Sequence, residues 1–134
     1  MDTPEIFEWD IRVRYSETDQ MGVTYYANYF VWYEVARTEY FRNKRVDYRK
    51  IEGRGIYLAV VDAQCRYLAP TRYDDLLSVR TWIDRMGKSS MTFKYELIEK
   101  NSGKRIAEGS SSHVFVNSKI EPVRIPEEVS KAFR

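Results

Sequence analysis

A chain of 134 residues with a formal net charge of +2 can bury one respectable core. That charge is too small to argue for nucleic acid or an anionic membrane as a partner. A single cysteine, Cys65, excludes an internal disulfide. No run approaches the ~18 apolar residues of a membrane span, and the stretch from Met1 to Tyr15 lacks the basic and apolar regions of a signal peptide. The expectation is a cytoplasmic protein of one domain, residues 1–134.

From Phe7 to Tyr15 the odd positions are Phe, Trp, Ile, Val and Tyr and the even ones are charged. A period of two over that length predicts a half-buried strand. Ser16 to Thr24 is polar, contains Gly22 and reads as a loop. Ala27 to Arg42 has no Pro or Gly and carries Phe30, Tyr33, Arg37, Tyr40 and Phe41 at helical spacing. With Tyr29, Trp32, Val35 and Ala36 added, most of that helix's circumference is expected to be buried. Asn28 is expected as its N-cap or in its first turn. A short second helix over Asp47–Glu52 is expected to end at Gly53 and Gly55.

Beyond Gly55 the period changes. Tyr57 to Leu68 is rich in β-formers and closes at Pro70, and Leu77, Val79, Thr81 and Ile83 alternate with polar or bulky neighbours. Met91, Phe93, Tyr95 and Leu97 alternate with Thr92, Lys94 and Glu96, and the Asn101–Lys104 turn leads into Ile106–Val116, predicting a hairpin. A short helical stretch follows near Glu127–Phe133. One strand, a long helix and four more strands give an α+β architecture with an antiparallel sheet of about five strands. A helix apolar nearly all round requires that sheet to curl about it.

The run from Tyr15 to Arg37, YSETDQMGVTYYANYFVWYEVAR, places one carboxylate, Asp19, in a tight loop leading through Gly22 into the aromatic helix. This ordered motif resembles the small acyl-CoA thioesterases of the hotdog fold, the 4-hydroxybenzoyl-CoA thioesterase group and its bacterial relatives. The stretch LAPTRYDDLL, up to Leu77, resembles the same relatives. The resemblance implies the hotdog fold, a curled antiparallel sheet of about five strands around one long helix. It also implies hydrolysis of an acyl- or aroyl-CoA thioester to free acid and CoA, without metal or other cofactor, in a homodimer or homotetramer with active sites between subunits.

Thioester hydrolysis needs a nucleophile or a base, and donors for the developing oxyanion. By resemblance Asp19 is that nucleophile or general base. An Asp in a loop also caps turns. Tyr26 matches a position whose backbone N–H joins the oxyanion hole in the hydroxybenzoyl branch, while many bacterial relatives carry His there. As a residue of the helix, Tyr26 also reads as its first core aromatic. Arg85, Lys88 and Ser89, between two strands, align with a basic Ser-containing segment that meets the CoA nucleotide, with Gly87 where that segment has a basic residue.

Other polar residues read as structural. Glu17 is expected to be a solvated loop residue. Glu34, on a buried helix, is expected to pair with Arg37 at i+3. His113 stands beside Ser110, Ser111 and Ser112 on a strand, but no Gly-x-Ser-x-Gly elbow accompanies it. Cys65 reads as a small core residue, and Asp74–Asp75 as a solvated turn. One His and one Cys offer no soft-metal cluster. Two rivals stand beside the CoA reading. One is a thioesterase acting on acyl carrier protein, whose acidic surface suits the same basic turn. The other is a non-catalytic binding or scaffold protein.

Overall fold

The computed structural model describes residues 4–134; Met1–Thr3, part of the N-terminal stretch read for targeting features, lie outside the described residues. The elements in chain order are β1 (Phe7–Arg12), α1 (Asn28–Asn43), α2 (Tyr48–Gly53), β2 (Tyr57–Tyr67), β3 (Leu76–Met86), β4 (Ser90–Glu99), β5 (Arg105–Val116) and α3 (Glu127–Phe133). The five strands form one antiparallel sheet in the order β1-β3-β4-β5-β2. The expected α+β architecture is present, with α1 lying on one face of the sheet.

The strand faces follow the sequence period. Met91, Phe93, Tyr95 and Leu97 of β4 point toward α1 and are buried, while the residues between them are half-exposed. Tyr33 of α1 stacks on Tyr95 with centroids 4.4 Å apart, and Phe41 meets Phe93 at 6.1 Å. Burying a ring the size of Phe93 contributes roughly 1.5–3 kcal/mol, so this row holds helix to sheet. The close approach needs Gly109, which pairs with Tyr95 across the ladder. A Cβ at Gly109 would sit 2.6 Å from the Tyr33 ring.

Two expectations change. The first strand stops at Arg12, because Val13 leaves the sheet to exchange backbone hydrogen bonds with Asp74 and Asp75 at 2.9 and 3.0 Å. Val13 is buried while Tyr15 turns outward, 77% exposed. Second, α1 is covered on one side only: Val31 is 45% exposed and Glu34 also faces solvent. The curled sheet covers the opposite face, where Tyr29, Trp32, Tyr33, Ala36, Tyr40 and Phe41 are buried. β2 is the strand that its β-formers predict, and Val60 and Val61 are 59% and 62% exposed beside a bulge between Val60 and Asp62. α2 also matches its expectation closely: Asp47 caps it, accepting from Arg49 N–H at 3.1 Å.

Candidate active site

The Asp19 loop is a small antiparallel turn. Thr18 bridges Thr24, Asp19 N–H donates to the Val23 carbonyl at 2.8 Å, and Tyr25 N–H donates to the Glu17 carbonyl at 2.8 Å. Gly22 closes it at φ +80°, in the left-handed region that side chains resist. Thr24 ties the loop to the chain before β3: its N–H donates to the Thr71 carbonyl at 2.8 Å, and the two hydroxyls lie 2.6 Å apart.

Glu17 is the anchor of this loop, not a solvated residue. It is 4% exposed, and its carboxylate accepts from Arg14 N–H at 2.8 Å and from the Trp32 indole N–H at 2.9 Å. Its carbonyl also accepts from the Asn28 side-chain amide at 3.0 Å. Asn28 is the first residue of α1, and its side chain reaches back to the loop rather than capping its own helix. Sequence reasoning missed Glu17 because its partner Trp32 is fifteen residues away. The polar neighbours Ser16 and Thr18 gave no sign of burial.

Asp19 is half-buried, and its Oδ1 accepts from Met21 N–H at 2.9 Å, the turn-capping geometry expected of a loop Asp. Its Oδ2 has no hydrogen-bond partner among the described residues. Nearby, α1 begins without a side-chain cap because its N-cap is Ala27. The N–H groups of Tyr26 and Ala27 have no acceptor among the described residues, while those of Asn28 and Tyr29 turn back onto Tyr25 and Tyr26. Two vacant donors at the positive end of a sixteen-residue helix are what an oxyanion needs.

The Tyr26 side chain is 60% exposed and precedes the helix, so it is not the first core aromatic. Its backbone is fixed by a residue the sequence did not flag. Tyr67, at the end of β2, donates its hydroxyl to the Tyr26 carbonyl at 2.9 Å and sets its ring edge-on to Tyr26. That carbonyl and the Ala27 N–H belong to one planar peptide, so Tyr67 orients the donor. Burial, and then Cys65, push the Tyr67 phenol up, keeping it protonated as a donor.

Arg85, Lys88 and Ser89 lie in and beside the β3–β4 turn, at the far end of the sheet. Arg85 and Lys88 are exposed, and the Ser89 carbonyl accepts from Phe115 N–H at 2.8 Å. Arg124 and Arg134 join Lys88 around one cleft, with Arg134 donating to the Gly87 carbonyl at 2.7 Å. None of these four cations has a carboxylate within 4.0 Å among the described residues. The Asp19 loop follows Arg12, which pairs with Leu76 at the other end of β3. The length of β3, about 33 Å at ~3.3 Å per residue, therefore separates the two groups within one chain.

Remaining polar candidates fall elsewhere. His113 is 1% exposed on β5 and ends a buried chain: Arg37 donates to the Tyr95 hydroxyl at 3.0 Å, which lies 2.6 Å from Ser111 Oγ, itself 2.7 Å from His113 Nε2. Burial, and then the Arg37 charge, hold His113 down to about 3. Neither Ser111 nor His113 meets an aspartate, so no triad forms. Cys65 is half-buried, and burial pushes its thiol up. Glu34 and Arg37 do not pair within 4.0 Å, and Glu34 is exposed rather than buried. Asp74 and Asp75 form a turn, with Arg72 N–H donating to Asp75 Oδ2 at 2.8 Å. Among the described residues no three His, Cys, Asp or Glu side chains gather as a metal site. No helix there is long and apolar enough to cross a membrane.

Comparison with known proteins bears on this arrangement. The family described as the thioesterase-like superfamily matches residues 13–133. YneP of Bacillus subtilis is 36% identical over 81% of this chain and 78% of its own length. The acyl-CoA thioesterase YbgC of Haemophilus influenzae is 30% identical over 95% of this chain and 93% of its own. Among solved structures, the DHNA-CoA thioesterase of Staphylococcus aureus superposes with a TM-score of 0.91 at 29% identity, covering 96% of this chain and 88% of that one. A match over nearly the whole length, joined to relatives at this identity, means that the chain belongs to the thioesterase-like superfamily and has its hotdog fold.

Proposed function

We propose that the protein hydrolyses the thioester of an acyl- or aroyl-CoA, releasing a carboxylic acid and free CoA. The observation that carries this reading is the free Asp19 Oδ2, on a loop clamped to the head of α1 beside the vacant N–H groups of Tyr26 and Ala27. The carbonyl oxygen accepts from those two donors, which stabilise the charge that grows as the carbonyl carbon is attacked. Asp19 either attacks that carbon, forming an anhydride that water opens, or takes a proton from the attacking water. In both routes the C–S bond breaks and the CoA thiolate leaves and is protonated.

The nucleotide end of the substrate binds through Arg85, Lys88 and Ser89, with Arg124 beside them. One chain holds these residues too far from Asp19 for a single substrate, which favours a site shared between copies. A two-fold axis that pairs the β2 edges of two chains antiparallel reverses strand direction. It therefore brings the β3–β4 turn of one copy to the end where the other carries Asp19.

Thiol release from a panel of aryl, short and long acyl-CoA thioesters, run beside the same acyl groups on acyl carrier protein, tests the reading. Turnover of CoA thioesters that Asp19→Asn abolishes is expected. Turnover on the carrier protein alone moves the substrate to that rival, and turnover on neither identifies a binding protein.

A further inference from the structure

We infer that the cavity between α1 and β2 is a binding site for the carboxylate of a small organic acid, gripped by Arg37, Tyr48 and Thr38. The site itself does not depend on thioester hydrolysis; only the source of its ligand rests on that reading.

The cavity holds about 300 Å³, near the lower limit of the ~300–1,000 Å³ usual for small-molecule sites. Phe41, Leu58 and Val60 supply apolar wall, and Arg37, Thr38 and Tyr48 bring donors to it. Arg37 stands ten residues beyond Ala27 on α1. At ~1.5 Å per residue that is ~15 Å along the helix, so an acid held here lies away from the N–H donors that head α1 in the same chain.

Arg37 is half-buried and has no carboxylate within 4.0 Å among the described residues. Its one hydrogen bond there goes to the Tyr95 hydroxyl at 3.0 Å. A guanidinium has five N–H donors, so most of its capacity is unused. A partly desolvated cation without a counter-ion is costly, and a carboxylate seated on it removes that cost. Beside it, the Tyr48 hydroxyl accepts from Leu58 N–H at 3.0 Å, which leaves its own proton to be donated. Burial pushes this phenol up and so keeps the proton on the oxygen. The Thr38 hydroxyl is a third donor on the same wall, without a partner among the described residues.

These groups select the chemistry of the ligand. A planar guanidinium matches a carboxylate through two parallel hydrogen bonds, and the two hydroxyls add donors beside it. Glu34 sets a limit on charge, because it is exposed on the same wall and has no cation within 4.0 Å among the described residues. Its carboxylate opposes a dianion such as phosphate more than a monoanion. The site therefore favours a monocarboxylate whose hydrocarbon part rests on Phe41, Leu58 and Val60. Two sources supply that chemistry: the free acid that hydrolysis releases, and a carboxylate at the far end of an acyl group.

Isothermal titration calorimetry of the full chain with sodium benzoate, beside benzamide as its uncharged isostere, tests the site directly. Benzoate is expected to bind about tenfold tighter than benzamide or better, and Arg37→Gln to erase that preference. Tyr48→Phe is expected to weaken benzoate about fivefold, and Glu34→Gln to tighten it by removing a like charge. No binding of benzoate, equal affinity for benzamide, or an Arg37→Gln chain that binds benzoate as before overturns the site. Should Arg37→Gln fail to fold by circular dichroism, Tyr48→Phe and Glu34→Gln decide, and unchanged benzoate affinity in both overturns it. Turnover then identifies the source. Inhibition of hexanoyl-CoA hydrolysis by benzoate that Arg37→Gln relieves assigns the released acid. A preference for adipoyl- or dodecanedioyl-CoA over hexanoyl- or dodecanoyl-CoA that Arg37→Gln removes assigns the acyl group. A chain that binds benzoate through Arg37 and hydrolyses no thioester keeps the site and refutes the hydrolysis.

Discussion

Trp32 donates its indole N–H to Glu17 at 2.9 Å, and together with the Asn28 amide on the Glu17 carbonyl this bond joins the first helical turns to the loop that carries Asp19. The loop's shape and the helix's position are thus one structural problem. Removing the carboxylate leaves the buried Trp32 Nε1 and the part-buried Arg14 N–H without an acceptor. Glu17→Ala is expected to lose about 2–3 kcal/mol of stability, while Glu17→Gln, which keeps one acceptor oxygen, loses less. Urea denaturation followed by tryptophan fluorescence measures both, and an equal loss in the two variants would argue against the anchor.

Asp19→Asn should separate chemistry from folding. The amide oxygen still accepts from Met21 N–H, so the melting temperature is expected to stay close to that of the unaltered chain. Turnover is expected to fall by ~10²–10⁴, the range for loss of a general base, with a smaller change in KM. A destabilised variant that keeps its turnover would assign Asp19 to the turn alone.

Tyr67→Phe tests how the helix-start donor is aimed. The substitution removes the hydroxyl that holds the Tyr26 carbonyl and leaves the ring packed beside Tyr29, 4.9 Å away. Loss of one such bond, about 1 kcal/mol, is expected to lower kcat roughly fivefold with KM nearly unchanged. A fall expressed entirely in KM contradicts a positioning role.

The basic cleft predicts a split by substrate. With Lys88 and Arg124 both replaced by Ala, KM for a CoA thioester is expected to rise about tenfold. The N-acetylcysteamine thioester of the same acid carries no phosphate and is expected to be turned over as before. An equal loss on both substrates would show that these residues matter for folding or assembly instead.

His113 gives stability a pH dependence with a defined sign. Its folded value of about 3 lies below the ordinary 6.5, so the folded chain binds fewer protons than the unfolded one. Stability from this group is therefore present above about pH 6.5 and declines as the pH falls toward 3. Between pH 7 and 5, mostly above the carboxylate range, the slope approaches about 1.4 kcal/mol per pH unit. His113→Gln is expected to flatten it in urea titrations at those pH values. Identical slopes would place the imidazole in contact with water.

The elements were legible because their signals are local: alternation along β4, Asp47 ahead of α2 and the Asn101–Lys104 turn need only neighbouring residues. Asp19, Tyr26 and the basic turn are candidates that a motif alone nominates. Glu17 and Tyr67 were not legible, since each acts on a residue 15 or 41 positions away. Glu34 misled for a related reason. Helical spacing reports how apolar a face is, but not which side of the helix one chain's sheet reaches.

Gly109 sets a distance by what it lacks. Because no side chain stands there, the Tyr33 and Tyr95 rings can lie almost parallel, 8° apart in orientation, and act as the spacer between helix and sheet. A methyl group at that position would wedge them apart and rock α1 about the row. The end of the helix that carries Tyr26 and Ala27 would swing by a larger amount, as the tip of a lever does. The aim of two backbone donors is thus calibrated by a missing carbon atom on a strand they never touch.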